Sequence, residues 1–384
     1  MKTDVAIVGA GLPGLALARA LRGLQVSLVA PERAAPPPQG WDARVYAITP
    51  GNAAFFAGLC VWQALPAERV APVRAMRVFG DDGAALLAFD AYRAGASALA
   101  WIVEDGRLRE ALWTSLAARD DLEVLAPATC ARLEVGAQCA RLGLEDGRGI
   151  EARLVVGADG ARSRVRGQAG IEATDAPYAQ SAVVANFACT RAHRDTAFQW
   201  FQGGPVLALL PLPGDRASMV WSVDQARAAQ LQALPEAALC REVARASGQV
   251  LGELSLITAP RVFPLRRLAA RRMVAPRVAL AGDAAHVIHP LAGQGANLGL
   301  QDARELAAAL AGREPQRDPG ELGLLRRYER ARARDVLAMD ATVHGLYRLF
   351  GAAAGPAARL RNAGLNLADR LPVLKNLLIR QAMT

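Results

Sequence analysis

The stretch VAIVGAGLPGLALARAL, residues 5–21, joins an apolar run to a glycine-rich turn and then to a helix-forming segment. The run 5–8 predicts a short buried β-strand. Directly after it, Gly9, Gly11 and Gly14 form the pattern G-x-G-x-x-G. In a strand–turn–helix setting these glycines permit a tight turn and let backbone N–H groups approach a pyrophosphate at the helix N-terminus. The stretch therefore predicts a Rossmann-type dinucleotide-binding domain, and by itself it does not choose between NAD and FAD.

A second glycine-rich stretch, GDAAHVIHPLAGQGANLG at residues 282–299, follows the apolar run 278–281. The run predicts a buried strand, so Asp283 stands at a strand's carboxyl end, where α/β folds place their ligands. Its carboxylate is suited to accept hydrogen bonds from a polyol. Beyond Pro290, small residues accompany the start of a helix, and the positive end of that helix suits the negative charge of a reduced flavin.

A third strand that runs into an acid and a glycine lies in the middle of the chain. Asp159 and Gly160 follow the apolar run 154–156, and Ser163 and Arg166 come shortly after them. Asp-Gly is also a common turn. The Asp159–Gly160 pair is therefore informative only in combination with the two glycine-rich stretches and in its order with them along the chain.

One expected acid is absent after the predicted second strand, residues 26–29. Dinucleotide-binding folds place an acid there that binds ribose hydroxyls, whereas this chain has Ala30 and Pro31, with Glu32 only afterwards. Either Glu32 reaches back to the ribose, or the backbone and a water replace the carboxylate. Glu32 is our candidate, and a solvated surface residue beside Arg33 is the alternative.

The order of these three elements resembles the FAD-dependent group A aromatic hydroxylases of the para-hydroxybenzoate hydroxylase type. The segments 42–50, 204–212 and 286–295 are similar to the ubiquinone-biosynthesis hydroxylase family, and the similarity spans nearly the whole chain. In that family the enzyme hydroxylates a polyprenylated phenol at the membrane surface. The resemblance implies FAD as cofactor, NAD(P)H as electron donor, O2 as cosubstrate, and hydroxyl transfer from a C4a-hydroperoxyflavin.

The resemblance also assigns phosphate and sugar contacts to individual residues. Gly9, Gly11 and Gly14 would hold the pyrophosphate, and Asp283 would bind the ribityl chain. The remaining residues of this group are Arg44 for the diphosphate, and Asp159 with Gly160 near the pyrophosphate and ribose.

Flavin-ring contacts follow from the same resemblance. Arg109 begins an Arg-x-x-Leu-x-x-x-Leu pattern whose arginine lies near the flavin in related hydroxylases, although an ordinary surface arginine is the alternative. The isoalloxazine would be lined by Pro290, Gly293, Gly295 and Asn297. No Ser-His-Asp, Cys-His or paired-carboxylate arrangement is visible, so no catalytic residue is assigned and the chemistry belongs to the cofactor.

Composition excludes several other classes of protein. The 384 residues carry a formal net charge of +9, but Lys2 and Lys375 are the only lysines and no basic stripe alternates with aromatic residues. We therefore expect attraction to an anionic membrane surface and no nucleic-acid partner. The 5 cysteines show no C-x-x-C pair, which favours reduced thiols in the cytoplasm. His286 and His289 lack a third ligand pattern, so no metal is expected.

The sequence predicts a mixed α/β (α+β) fold with interleaved domains. The Rossmann-type FAD-binding domain would comprise 1–72, 98–175 and 260–335, and a β-sheet substrate domain would comprise 73–97 and 176–259. A C-terminal helical segment would follow at 336–384. It is amphipathic and basic, so it either lies on a membrane or packs on the FAD domain or a partner subunit.

The aromatic residues Trp200, Phe201 and Trp221 are candidates for pocket walls, with core packing as the alternative. Any membrane contact is expected to be peripheral, because no run of 18 apolar residues occurs, so the expected location is the cytoplasm or the surface of the inner membrane. Besides a ubiquinone-precursor hydroxylase, a hydroxylase of a soluble aromatic and a non-catalytic flavoprotein in a quinone-synthesis complex remain as functions.

Overall fold

The computed structural model describes residues 1–33, 35–80, 86–289 and 295–351. Within these ranges the strands are β1 (Lys2–Val8), β2 (Val26–Val29), β3 (Val45–Ile48), β4 (Ala71–Val73), β5 (Ala75–Phe79), β6 (Leu86–Asp90), β7 (Ala100–Glu104), β8 (Leu122–Leu125), β9 (Cys130–Val135), β10 (Ala140–Leu144), β11 (Gly149–Gly157), β12 (Ala173–Cys189), β13 (Thr196–Phe201), β14 (Val206–Leu212), β15 (Arg216–Asp224), β16 (Leu254–Leu256), β17 (Arg261–Ala270), β18 (Val274–Ala275), β19 (Val278–Leu280) and β20 (His286–Val287). The helices are α1 (Leu12–Ala20), α2 (Pro50–Gly58), α3 (Asp105–Leu116), α4 (Arg164–Gln168), α5 (Gln225–Ala233), α6 (Glu236–Ala246), α7 (Gly295–Ala311) and α8 (Leu322–Gly351).

The first sheet has a parallel centre in the order β19-β11-β1-β2-β8. Val5 of β1 pairs with Leu154 on one side and with Val26 on the other. All three residues are buried, as expected for a parallel sheet that is covered on both faces. Helix α1 packs against α3 and α7. The predicted α/β class with a Rossmann-type domain is therefore confirmed.

The second sheet is mainly antiparallel and has the order β20-β17-β12-β15-β14-β13-β5-β6. One of its faces packs against α5 and α6, where Phe187, Met219 and Leu239 belong to the same core cluster. The predicted hairpin at its edge is present, because β5 and β6 pair antiparallel with Phe79 opposite Leu86. The other face of this sheet is left to line a cleft. A small third sheet joins β3, β7 and β4.

The division of the chain into 1–72, 98–175 and 260–335 against 73–97 and 176–259 stays a prediction. Strand β17 lies within 260–335 and pairs with β12 in the second sheet, so this part of the chain contributes to both sheets.

Helix α8 crosses the boundary predicted at residue 336. Its first turns bury Leu324, Leu325 and Tyr328 in the core of the first sheet, and Val343 packs near Ile288 further along. This described part of α8 therefore packs on the protein, whereas the remainder of 336–384 lies outside the described residues. None of the helices described here combines the length and the apolar character needed to span a bilayer.

Candidate active site

A cleft of about 970 Å³ connects the strand ends of the first sheet with the open face of the second sheet. The strand ends of the first sheet form the polar half of the cleft, and the open face of the second sheet forms its apolar half. The predicted site residues that line it are Gly9, Gly11, Glu32, Arg44, Arg109, Asp159, Gly160, Asp283 and Gly295. Two more, Pro290 and Gly293, lie outside the described residues.

The three glycines after β1 have different surroundings. A Cβ on Gly9, which has φ +111°, would lie 2.2 Å from the carbonyl oxygen of Ala158, and a Cβ on Gly14 would lie 2.0 Å from that of Gly9. A Cβ on Gly11 would meet nothing closer than Pro13 at 3.9 Å. Gly9 and Gly14 therefore permit the turn and the close packing of α1 on the sheet, and Gly11 leaves the space at the helix N-terminus that a diphosphate needs.

Pro13 ties this turn to the second glycine-rich stretch. Its Cγ would lie 2.8 Å from a Cβ on Gly282 and 2.7 Å from a Cβ on Gly299. The proline ring thus fits between the loop that carries Asp283 and helix α7. This packing explains Gly282, and it also explains Gly299, which the sequence connected only with the start of a helix.

Hydrogen bonds connect the Asp159–Gly160 turn to the start of helix α4, and α4 is in turn hydrogen-bonded to the loop after β19. The Asp159 carboxylate accepts hydrogen bonds from the Ser163 hydroxyl and, at 3.1 Å, from the Val165 N–H. Arg166 donates to the carbonyl oxygen of Ala284 at 2.8 Å. Both acid-bearing strand ends are therefore fixed relative to each other at one edge of the cleft.

Two arginines bring positive charge to the polar half. The guanidinium of Arg44 lies 5.2 Å from the centre of the Tyr46 ring and 5.8 Å from that of Phe263. Asp105, the first residue of α3, contacts the Tyr46 hydroxyl and pairs with Arg109 at 3.9 Å. Burial raises the pKa of Asp105, and Arg44 and Arg109 act against that rise. The guanidinium groups suit the negative charge of a diphosphate.

Asp283 is deep in the cleft and yet open to it. Burial raises the pKa of its carboxyl group, and the nearby His286 and Arg44 oppose that rise. Within the described ranges, its carboxylate forms no hydrogen bond or ion pair with the protein. Because the side chain is exposed to the cleft, its oxygens are able to accept hydrogen bonds from the hydroxyls of a ligand.

A buried charged network supports the loop that carries Asp283. Asp302 accepts from the backbone N–H of Gly282 at 2.9 Å, from Arg332 at 2.7 Å, and lies 2.7 Å from His286 Nε2. Both Asp302 and Arg332 are 0% exposed. Burial by itself would raise the pKa of Asp302, but His286 and Arg332 outweigh it and hold that pKa below its ordinary value. The network fixes the backbone on which Asp283 stands, and sequence patterns gave no sign of it.

Asn297 requires a correction of its predicted role. Its side chain is 0% exposed, and its amide oxygen accepts from Thr49 N–H at 3.1 Å and from Asn52 at 2.9 Å. Its amide nitrogen donates to the carbonyl oxygen of Ala47 at 2.7 Å. Asn297 therefore joins the start of α7 to β3 and α2, because its amide is occupied by the protein and does not face the cleft.

The two histidines of the second stretch have separate surroundings. His286 contacts Asp302, whereas His289 Nε2 lies 3.2 Å from the side-chain oxygen of Gln180. The His289 ring meets that of Tyr178 edge-on at 4.8 Å. Burial lowers the pKa of His289 to about 4, so its imidazole is neutral at pH 7. Among the described residues, no cluster of three acids, histidines or cysteines is arranged to hold a metal.

The apolar half of the cleft is one face of the second sheet. Val184, Val220, Ala208 and Gln199 form a row across β12, β15, β14 and β13, and each of them lines the cleft. Other members of this face are Met76, Ala182, Ala197, Leu210 and Leu265. The alanine side chains are small and project little into the cleft, so they leave room for a ligand ring.

The aromatic candidates for pocket walls belong to the core. Trp200 follows Gln199 in β13 and points to the opposite face of the sheet, where it packs with the cluster that contains Trp221. Phe201 is on the cleft side but packs in a core cluster with Val78 and Ile288. All three aromatic residues therefore pack in the core, which is the alternative to a role as pocket walls.

The comparisons with known proteins agree with this geometry. A family model described as an FAD binding domain matches residues 130–341. Ubiquinone hydroxylase of Rhodospirillum rubrum is 37% identical over 384 residues, covering 99% of this chain and 89% of that protein. The 3-demethoxyubiquinol 3-hydroxylase of Escherichia coli is 36% identical over 391 residues, covering 99% of this chain and 98% of that protein. The chain belongs to the ubiquinone-biosynthesis family of FAD-dependent hydroxylases.

A solved structure extends the similarity to the fold. PqsL of Pseudomonas aeruginosa superposes with a TM-score of 0.78 at 25% identity, covering 95% of this chain and 99% of that chain. The chain is thus an FAD-dependent monooxygenase, and its cofactor is FAD. The open space at Gly11 and the Asp283 carboxylate, to which no described residue donates a hydrogen bond, fit a dinucleotide with a polyol linker.

Proposed function

We propose that this FAD-dependent monooxygenase hydroxylates the aromatic ring of a polyprenylated phenol in ubiquinone biosynthesis. One observation carries the proposal: the polar half of the cleft continues without interruption into the apolar half. An isoprenoid phenol gains free energy by burying its apolar surface there, at roughly 25 cal/mol per Å². The names of the relatives from R. rubrum and E. coli support the same class of substrate.

FAD supplies the oxygen activation and the hydroxyl transfer when it is bound. The backbone at Gly11 and the N-terminus of α1 would hold the diphosphate, with Arg44 and Arg109 nearby. Asp283 would accept hydrogen bonds from the ribityl hydroxyls. Gly295 and the N-terminus of α7 would stabilise negative charge on the reduced flavin ring. Further proposed contacts are Gly9, Gly14, Glu32, Asp159, Gly160, Pro290 and Gly293.

The electron donor and the cellular partners are further parts of the proposal. NAD(P)H is proposed as the donor, because the flavin must be reduced before it meets O2. Peripheral contact with the inner membrane is proposed from the cytoplasmic side, where the formal charge of +9 would favour an anionic lipid surface. Association with other quinone-biosynthesis proteins is compatible with that location.

Quinone-lipid analysis of a strain that lacks this gene tests the function. We expect the strain to accumulate a polyprenylated phenol that lacks one ring hydroxyl, and the wild-type gene to restore the quinone. A strain with normal quinone content would contradict the proposal, and so would accumulation of a soluble aromatic in place of the lipid. A variant that binds FAD but fails to react with O2, and yet restores the quinone, would support the non-catalytic alternative.

A further inference from the structure

The apolar half of the cleft contains a buried amide whose surroundings are apolar. Gln199 lies on β13, is 6% exposed and lines the cleft. Ala208 stands directly opposite it on β14, and Val78 is its partner on β5. Arg266, a charged residue that lines the cleft, is already paired with Asp175.

Among the described residues, none bonds to the Gln199 amide. In the ranges that the structure describes, its side chain takes part in no hydrogen bond or ion pair, and neither of its polar atoms is sealed from the cleft. When a ligand fills the cleft and displaces water from these atoms, leaving them unsatisfied would cost about 1–3 kcal/mol, and an apolar side chain would avoid that cost. A buried amide that opens into the cleft therefore points to a ligand that completes its hydrogen bonds.

The space beside this amide suits a flat ring. Two neighbours of Gln199 that line the cleft are small: Ala197, two residues before it on β13, and Ala208, directly across on β14. A glutamine amide offers two donors and an acceptor. A ring that carries a hydroxyl is able to use both kinds of group while its carbon skeleton packs on the alanines and Val220.

We propose that Gln199 hydrogen-bonds the hydroxyl of the substrate's aromatic ring and thereby selects the ring carbon that is presented to the flavin. The inference rests on the proposed function, because it requires a phenol in the apolar half. It assigns Gln199 to substrate orientation, whereas FAD binding remains with the strand ends of the first sheet.

Ligand binding to the FAD-loaded protein tests this role. The probes are a phenol with a short prenyl chain and the same compound without its hydroxyl, and binding is followed through the flavin absorbance. We expect wild-type protein to prefer the phenol by about 10- to 100-fold, as for one buried hydrogen bond. Gln199→Leu should bind both compounds alike and should change the ratio of ring positions hydroxylated, or release more peroxide per NAD(P)H oxidised.

Controls separate the orienting role from general damage. Gln199→Met should repeat the loss of preference, and both variants should keep the wild-type FAD content. Gln202→Leu is the matched control, because that amide donates to the carbonyl oxygen of Ala246, and it should keep the preference for the phenol. An unchanged preference and product in Gln199→Leu would overturn the role of Gln199 alone. A wild-type protein that binds neither compound would refute the proposed substrate class, and the inference with it.

Discussion

The two halves of the cleft are built in different ways. The polar half consists of loops at the ends of parallel strands, and each loop is a short continuous segment, such as 9–14 or 282–286. The apolar half consists of alternate residues on several antiparallel strands, brought together only by strand pairing. Cofactor chemistry is therefore concentrated in a few positions of the chain, whereas the substrate surface is distributed over many.

The halves also differ in what supports them. Beneath the polar half lies the network of Asp302, His286 and Arg332, which is charged and buried. Behind the apolar half lies a conventional hydrophobic core against α5 and α6. Removing a charge from the network should therefore have a large effect on the polar half. Changing the shape of a side chain should have a small effect on the apolar half.

The largest effect is expected for Arg332→Met, which leaves the Asp302 carboxylate buried without its guanidinium partner. Breaking one side of a buried ion pair should lower the free energy of unfolding by about 3–5 kcal/mol. Urea unfolding followed by circular dichroism measures the change. Arg334→Met, on the exposed side of the same helix, should stay within about 0.5 kcal/mol of wild type. Equal losses in the two variants would show that the network does not hold the fold.

Asp283→Ala should act on cofactor binding and leave the apolar half intact. Losing hydrogen bonds to a charged group costs about 1.5–3 kcal/mol, so the Kd for FAD should rise about 10- to 150-fold. Fluorescence titration of the apoprotein with FAD measures this constant. Asp146→Ala is the control, because Asp146 pairs with Arg148 in a surface turn. Purified Asp283→Ala with full flavin content would contradict the role of this carboxylate.

Much of the polar half was predictable because its signals are local. The strand, the turn and the helix of residues 5–21 are contiguous, and Asp283 directly follows a buried strand. The supporting network was not predictable, since Asp302 and Arg332 are 30 residues apart along the chain and resemble ordinary polar residues of amphipathic helices. For the same reason Asn297 was assigned to the flavin, although its partners Thr49 and Asn52 lie far away in sequence.

The apolar half shows the limit of sequence patterns more clearly. The strands themselves were visible as apolar runs, but both faces of the second sheet are buried, so alternation did not mark the cleft face. The large aromatic residues Trp200 and Trp221, candidates for pocket walls, belong to the other face. The residues that shape the cleft are alanines and Gln199, whose significance depends on the register of β13 and β14.

The stability of the protein should respond to pH through His289, which packs against Tyr178 near His344 and contacts Gln180. Its pKa of about 4 in the folded protein lies below the ordinary 6.5, so the unfolded chain binds the proton first as the pH falls. Stability should therefore be complete above pH 6.5 and decrease toward pH 4. The loss between pH 7 and pH 5 should be about 2 kcal/mol.

Urea unfolding of wild type and His289→Gln at both pH values isolates this contribution. The variant should show a difference between pH 7 and pH 5 that is smaller by about 2 kcal/mol, because glutamine does not titrate. The other groups that titrate in this range remain in both proteins. If the two proteins lost equal stability on acidification, His289 would be protonated in the folded state.

The smallest effect is expected for Ala208→Val, which raises the floor of the apolar half directly opposite Gln199. The added methyl groups occupy space that the aromatic ring of the substrate would fill. KM for a prenylated phenol should therefore rise about 10-fold, equivalent to about 1.4 kcal/mol. FAD content and the unfolding midpoint should change little, because the new side chain points into open space. Leu209→Met alters the next residue of the same strand, which faces the α5–α6 core, and it should leave KM unchanged. If Leu209→Met changed KM as much as Ala208→Val, the substrate would not lie on this face of the second sheet. The contrast between a cofactor half that is formed by short continuous segments and a substrate half that is formed by strand register would then be wrong.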